Sequence, residues 1–104
     1  MEEIYKNNVS VKKGIIAAPQ LSAPVPGGWQ QFMNVSDSRY IESLALVKSS
    51  FSGLESYKLS RVEYQIVAGI VFAFFYNSDN KNNFFIVEVY KPFYGQALIQ
   101  NTWG

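Results

Sequence analysis

The stretch VEYQIVAGIVFAFFY, residues 62–76, decides the fold, because it joins two strand-like segments through an apolar turn. Before the turn, apolar and polar residues alternate, as they do in a strand with one buried face. After it, residues 70–76 form an unbroken apolar run, which is too short to span a membrane and is typical of a buried strand. The turn QIVAG, residues 65–69, ends in Gly but has none of the Asn, Asp or Pro residues that usually form hairpin turns. Its apolar character therefore needs an explanation other than chain reversal.

The rest of the C-terminal half continues the strand pattern. Strands are predicted at residues 57–65, 70–76, 84–91 and 97–103, with a polar turn NSDNKNN at 77–83 and a turn PFYGQ at 92–96. Consecutive strands joined by short turns form an antiparallel meander. Alternate turns of a meander lie at the same end of its sheet, so the QIVAG and PFYG turns are predicted to be neighbours in space.

One amphipathic helix is predicted before the strands. Ser36, Asp37 or Ser38 can cap its start, and Gly53 can end it. The apolar stripe expected to face the sheet is interrupted by Lys48 and consists of Ile41, Leu44, Ala45 and Phe51. The core is expected to contain the strand aromatics Phe72, Phe74, Phe84, Phe85 and Tyr90. This order of elements predicts an α+β fold, with one long helix packed on one face of a four- to five-stranded antiparallel sheet.

The composition excludes several kinds of chemistry. The chain has 104 residues, enough for one domain, and contains no cysteine and no histidine. Disulfides, thiol nucleophiles, Cys/His metal sites and a histidine general base are therefore excluded. A net charge of +1 offers no basic surface for nucleic acid. We therefore expect no cofactor, no metal, no nucleic acid and no membrane among the partners of this chain.

The N-terminal part differs from the rest of the chain. Residues 1–24 show no clear periodicity and are predicted to be an extension that can be mobile, followed by one domain at residues 25–104. The segment PVPGG, residues 24–28, is predicted to be extended and exposed before the helix. The charged start of the chain and the break at Pro19 do not form a signal peptide. Two locations stay open: the cytoplasm for the chain as given, or secretion if a signal peptide has been removed.

The order of these segments resembles that of the cystatins, which inhibit papain-like cysteine proteases. Cystatins have a glycine near the N-terminus, a Gln-x-Val-x-Gly hairpin and a Pro-Trp pair in a second hairpin. Gly27 or Gly28 corresponds to the first motif, QIVAG matches the second in full, and Pro92 with Phe93 matches half of the third. The resemblance covers residues 25–104 with compatible spacing. The absence of cysteine is similar to the disulfide-free, stefin-like branch of the family.

The resemblance implies a function as well as a fold. It implies a reversible, tight-binding inhibitor of cathepsin-type, papain-like proteases, with no catalytic residues of its own. The three motifs would form one wedge in the protease cleft, with the N-terminal segment on the non-primed side and the hairpins on the primed side. The residues expected to bind the protease are Val25, Pro26, Gly27, Gly28, Gln65, Ile66, Val67, Ala68, Gly69, Pro92 and Phe93. The active form is expected to be a monomer that can convert into a domain-swapped dimer through the QIVAG turn.

Two positions depart from the family pattern. Phe93 keeps a flat ring but lacks the indole N–H of the tryptophan that the family has there. Pro26 stands where the family usually has an aliphatic residue that reaches the specificity-determining subsite. Because proline is rigid and fills such a pocket less well, the range of target proteases is expected to be narrow.

The motifs also have purely structural explanations. Gly27 and Gly28 can free the chain before the helix, and Val67 can pack within a tight turn. Pro92 can end an edge strand. A second hypothesis is therefore a cystatin-like binding module whose partner is not a protease. A third, an enzyme, has less support, because the sequence has no histidine base and no evident pair among the carboxylates of Glu42, Glu55, Glu63, Asp79 and Glu88.

Overall fold

One helix packs across an antiparallel sheet in this protein. The structure is a computed structural model, and it describes residues 4–6, 9–11, 14–15, 28–78 and 83–104. The elements follow in chain order as β1 (Ile4–Lys6), β2 (Val9–Val11), β3 (Gly14–Ile15), β4 (Gln30–Gln31), α1 (Ser38–Ser50), β5 (Phe51–Ser52), a 3₁₀ turn (Leu54–Ser56), β6 (Tyr57–Val67), β7 (Gly69–Ser78), β8 (Asn83–Pro92) and β9 (Leu98–Trp103). The four long strands predicted from the sequence are all present, and each of the first three is longer than predicted.

The main sheet is five strands wide, in the order β4-β6-β7-β8-β9, and every pairing in it is antiparallel. The short strand β3 pairs with the beginning of β8, on the same edge that β9 occupies farther along. A separate small sheet joins β1 to β2 and to β5. The predicted class is confirmed at this level: an α+β fold with one helix packed on a five-stranded antiparallel sheet.

Helix α1 begins at a capped turn and ends earlier than predicted. The Asp37 carboxylate accepts a hydrogen bond from the Arg39 backbone N–H at 2.8 Å, which satisfies one of the free donors at the helix start. The Arg39 guanidinium also bonds this carboxylate and lowers the pKa of Asp37 to about 2. At the other end the helix stops at Ser50, because Phe51 leaves it to pair with β1. Gly53, with a φ of 87°, then turns the chain into the 3₁₀ segment rather than ending the helix itself.

The prediction of which helix face is buried is wrong, because the buried face is rotated around the helix axis relative to the predicted apolar stripe. The buried residues of α1 are Tyr40, Ser43 and Val47, whereas Ile41 is 54% exposed. Ala45 and Lys48 are also exposed, and the stripe members that do pack into the core are Leu44 and Phe51. Aromatic contacts explain the phase: the Tyr40 ring stacks on Phe32 at 5.5 Å and meets Phe72 edge-on at 6.0 Å. Ser43 and Val47, one helical turn apart, are both fully buried on this face.

Both faces of the sheet are apolar. The helix side holds the larger cluster, in which Phe72, Phe74 and Phe85 are fully buried, as predicted. The opposite face holds a second cluster of Ala73, Phe75 and Ile86, packed against Trp29, Phe84 and Trp103. Only the cluster on the helix side was predicted from the sequence, and the cluster on the opposite face was missed. The unbroken apolar run at residues 70–76 was the available signal, because such runs are typical of strands buried on both faces.

Candidate functional site

The two apolar turns lie side by side at one end of the sheet, as the meander predicted. In the first turn, Val67 pairs with Gly69, so Ala68 is the single residue between β6 and β7. Gly69 also pairs with Pro92, the last residue of β8, where the second turn begins. The Tyr90 hydroxyl donates a hydrogen bond to the Ala68 carbonyl oxygen, which ties the first turn to β8.

We define the apolar edge as residues 66–68 of the first turn and residues 92–94 of the second. Its large side chains are unusually open: Ile66 is 58% exposed, Phe93 is 72% exposed and Tyr94 is 93% exposed. Adjacent exposed apolar side chains of this size are typical of binding surfaces, since a monomer gains no stability from them. Ala68 is exposed as well, and neither residues 66–68 nor 92–94 include a charge.

Gly69 allows the two turns to approach each other. Its φ is 119°, a conformation that residues with a side chain rarely adopt. A Cβ at this position would lie 2.8 Å from the Cα of Pro92 and closer still to the Lys91 carbonyl oxygen. Both neighbours are backbone atoms, so neither can rotate away. Glycine is therefore required where β7 meets the end of β8.

The remaining residues of the QIVAG turn are less accessible. Gln65 is only 3% exposed and pairs with Val71 in the sheet, so its side chain does not belong to the exposed edge. Its amide nitrogen is buried and has no hydrogen-bond acceptor among the described residues. Val67 and Pro92 are half-buried. Of the residues predicted to bind a partner, Ile66, Ala68 and Phe93 are thus the ones whose side chains are freely exposed at the two turns.

The segment before the helix leads toward the same end of the sheet. Val25, Pro26 and Gly27, which the sequence analysis assigned to the site, lie outside the described residues. Gly28 is described: its φ is 62°, and a Cβ there would meet no atom within 4 Å. Gln30 pairs with Tyr64 and Gln31 with Glu63 in an antiparallel register, so β4 begins on the side of the sheet end where Ile66 lies. The chain therefore enters the fold beside the apolar edge.

The carboxylate of Glu42 holds the second turn against the helix, a role that was not predicted from the sequence. Glu42 on α1 accepts a hydrogen bond from the Ala97 backbone N–H at 2.7 Å, and its other oxygen pairs with the Lys91 ammonium at 3.1 Å. Lys91 also donates to the Gly95 carbonyl oxygen. The hydrogen bond from Ala97, and then Lys91, lower the pKa of Glu42. No local motif reveals this link, because its members are far apart in the sequence.

Replacing Glu42 with Gln is expected to loosen the second turn in a pH-dependent way. A carboxyl group whose pKa is lowered on folding stabilises the folded protein above its unfolded pKa, near the ordinary value of 4.5. That contribution to stability is lost as the pH falls through the lowered pKa that Glu42 has in the folded protein. Urea unfolding at pH 6 and at pH 3 measures the effect: the wild-type protein should be the more stable at pH 6, and the difference should shrink at pH 3. A difference that is independent of pH would contradict the role assigned to the charge of Glu42.

Two further carboxylates, those of Glu63 and Glu88, make contacts within the sheet. Glu63 pairs with Arg61 at 2.8 Å. Glu88 is fully buried on the face opposite the helix, where the side-chain amides of Gln100 and Asn101 each donate to it at 2.9 Å. Within the described ranges, no three His, Cys, Asp or Glu residues gather where they could hold a metal ion. These contacts stabilise the fold, and they do not form a pair of carboxylates in a pocket.

No described helix has the length and apolar character needed to cross a membrane. Comparison of the chain with models of known protein families, with curated proteins and with solved structures found no match.

Proposed function

We propose that this chain has a cystatin-like fold and is a reversible, tight-binding inhibitor of papain-like cysteine proteases. The observation that carries the proposal is the apolar edge, where two uncharged turns lie side by side with Ile66 and Phe93 exposed. The matching order of a Gly-Gly pair, a helix, QIVAG and a Pro-aromatic pair supports it.

The edge is suited to a narrow cleft. A binding surface with an uncharged, apolar centre can lose its water at little cost when a partner covers it. Inhibitor interfaces of ordinary size bury about 1,600 Å² in total, and such areas support tight binding when the centre is well packed. In this proposal the edge fills the primed side of the protease cleft, and the segment before Gln30 lies on the non-primed side. In the proposed complex the chain would pass the catalytic residues of the protease at Gly27 and then turn away, so that no peptide bond is held in position for attack.

The residues of the edge and its neighbours Gly69 and Gln65 have different roles in the proposed complex. Phe93 and Ile66 are the anchors, because their side chains are large and already exposed. Gly69 acts through the backbone by bringing the two turns together. Gln65 supports the first turn from inside the sheet, since its side chain is buried.

A second candidate function is a protein-binding module that uses the same edge on a partner other than a protease. The observation that favours it is Phe93, which stands where the inhibitory family has tryptophan and which cannot donate the hydrogen bond of an indole N–H. The two candidates differ in one measurable respect, which is the inhibition of an activated papain-like protease.

Truncating the exposed ring tests the assignment of the edge. Phe93→Ala is expected to weaken the inhibition of papain by about 1–3 kcal/mol, mainly through faster dissociation, because large aromatic anchors dominate most interfaces. Phe93→Trp should bind at least as well as the wild-type protein. The measurement is the inhibition constant, together with the dissociation rate of the complex.

Met33→Ala is the matched control, because Met33 is 74% exposed, close to the 72% exposure of Phe93. Met33 lies beyond Gln31, which pairs with Glu63, so it is far from the Val67–Gly69 turn. Its truncation should leave the inhibition constant unchanged. Equal losses in both variants would show that the edge is not the contact surface.

A further inference from the structure

The loop between β4 and α1 contains the triplet Asn34-Val35-Ser36. Asn-x-Ser, with any residue except proline in the middle, is a pattern by which an oligosaccharyltransferase recognises the asparagine that it modifies. So short a pattern also occurs by chance, and its place in the fold decides whether it can act. The other such triplet of the chain begins at Asn8, which lies outside the described residues.

All three residues of the Asn34 triplet are exposed, and none of them belongs to a helix or a strand. Strand β4 ends at Gln31 and helix α1 begins at Ser38, so the triplet lies in the connection between them. An enzyme that binds a stretch of backbone can therefore reach it without breaking a regular element. Connections of this kind are where modifying enzymes usually act on folded proteins.

A closed turn presents the Asn34 side chain. The Oδ1 atom of Asn34 accepts a hydrogen bond from the Ser36 backbone N–H at 3.2 Å, and the Asn34 carbonyl oxygen accepts one from the Asp37 N–H at 3.1 Å. Because Oδ1 is held on the backbone, Nδ2 points away from that bond on the other side of the planar carboxamide. Nδ2 donates to no described residue, and the Ser36 hydroxyl has no described partner either. Both groups that the pattern requires are thus available.

Two exposed apolar side chains flank the asparagine. Met33 is 74% exposed and Val35 is 65% exposed. Neighbouring apolar side chains that stay uncovered favour unwanted association. A glycan is bulky and strongly hydrated, so a glycan on Asn34 would shield both of them.

We propose that Asn34 is an acceptor site for an N-linked glycan, transferred from a polyprenyl-diphosphate-linked oligosaccharide. In the transfer, Nδ2 of Asn34 forms a bond to C1 of the first sugar, and the bond from C1 to the diphosphate oxygen breaks. The polyprenyl diphosphate leaves with the bonding electron pair, and Nδ2 gives up one proton to a base of the transferase. This reaction belongs to the secretory pathway, the second of the two locations that the sequence leaves open.

The acceptor site is separate from the apolar edge. The Phe32 N–H donates to the Val62 carbonyl oxygen at 2.8 Å. Val62 and Val67 are both in β6, roughly 17 Å apart at the rise of an extended strand. Asn34 is therefore not part of the proposed protease contact, and the two proposals can fail independently.

In vitro transfer to the purified, folded chain tests the proposal. The chain is incubated with a single-subunit eukaryotic oligosaccharyltransferase and a synthetic polyprenyl-diphosphate oligosaccharide. The mass of the intact protein is expected to rise by that of the oligosaccharide. Peptide mapping should place the added mass on Asn34 and separates it from a glycan on Asn8.

Ser36→Ala should abolish the transfer to Asn34. The substitution removes the hydroxyl group that the pattern requires but keeps the backbone N–H that closes the turn. Ser36→Thr restores a hydroxyl group and should restore the transfer. Ser38→Ala is the matched control, because Ser38 is also exposed and lies outside the triplet, so Asn34 should be modified as in the wild-type protein.

An unmodified Asn34 in the folded wild-type chain would overturn the proposal. If a peptide of residues 30–40 were modified under the same conditions, the fold would be shown to withhold the loop from the enzyme. Glycan on Asn8 alone, or transfer to Asn34 that persists in Ser36→Ala, would overturn it as well.

Discussion

Replacing Gly69 with Ala is expected to destabilise the protein by roughly 2–4 kcal/mol, combining the strain of an unfavourable backbone conformation with the cost of overpacking. The φ of 119° is unfavourable for alanine, and the added Cβ would lie 2.8 Å from the Pro92 Cα. The clash of the added Cβ can be relieved only if β7 and the end of β8 move apart, since both of its contacts are with backbone atoms. The measurement is urea unfolding followed by circular dichroism. Inhibition of papain should fall as well, because the two turns would separate.

Gly28→Ala is the matched control for this substitution. Gly28 also has a positive φ, of 62°, but a Cβ there would have open space around it. The expected cost is about 1 kcal/mol, that of the left-handed conformation alone. If both variants lost the same stability, the close approach of Gly69 to β8 would not be the source of the effect.

Conversion into a domain-swapped dimer is expected to abolish inhibition completely. The first turn has one residue, Ala68, between the paired Val67 and Gly69, and it contains none of the usual turn-forming polar residues. Straightening this turn would let β6, together with α1 and β4, pack on β7 and β8 of a second molecule with the same core contacts. The dimer would lack the exposed turn of the monomer. Size-exclusion chromatography after mild heating, with papain inhibition measured on each peak, tests this expectation.

Val67→Asn should slow the formation of the dimer, because asparagine tolerates turn conformations better than valine does. Val67 is only half-buried, so the substitution should leave the core intact. The two proteins are heated equally and their dimer fractions compared. A dimer that inhibits papain as well as the monomer does would mean that the chains associate through another surface.

The sheet could be predicted because its signals are local. Alternating and unbroken apolar runs marked each of the four long strands, and the polar or glycine-containing stretches between them marked the turns. The meander order alone then placed the QIVAG turn beside Pro92, which the pairing of Gly69 with Pro92 confirms. The signal for the start of the helix was also local, since the side chain of Asp37 caps the helix.

The features that were missed depend on contacts between distant residues. Tyr40 is buried in place of Ile41 because it stacks on Phe32 and meets Phe72, and no helical periodicity contains that information. The contact of Glu42 with Ala97 likewise joins α1 to the segment after β8. At the site, the motif residue Gln65 was expected to contact a partner, but only the structure could show that its side chain is buried.

Titration of activated papain with the purified monomer tests the central claim most directly. The proposal predicts that papain activity falls in proportion to the added protein and reaches zero near one equivalent, because a tight inhibitor occupies one cleft per molecule. The recovered chain should be intact, since the edge presents no peptide bond for attack. Full papain activity in the presence of excess protein, or cleavage of the chain as a substrate, would contradict the account.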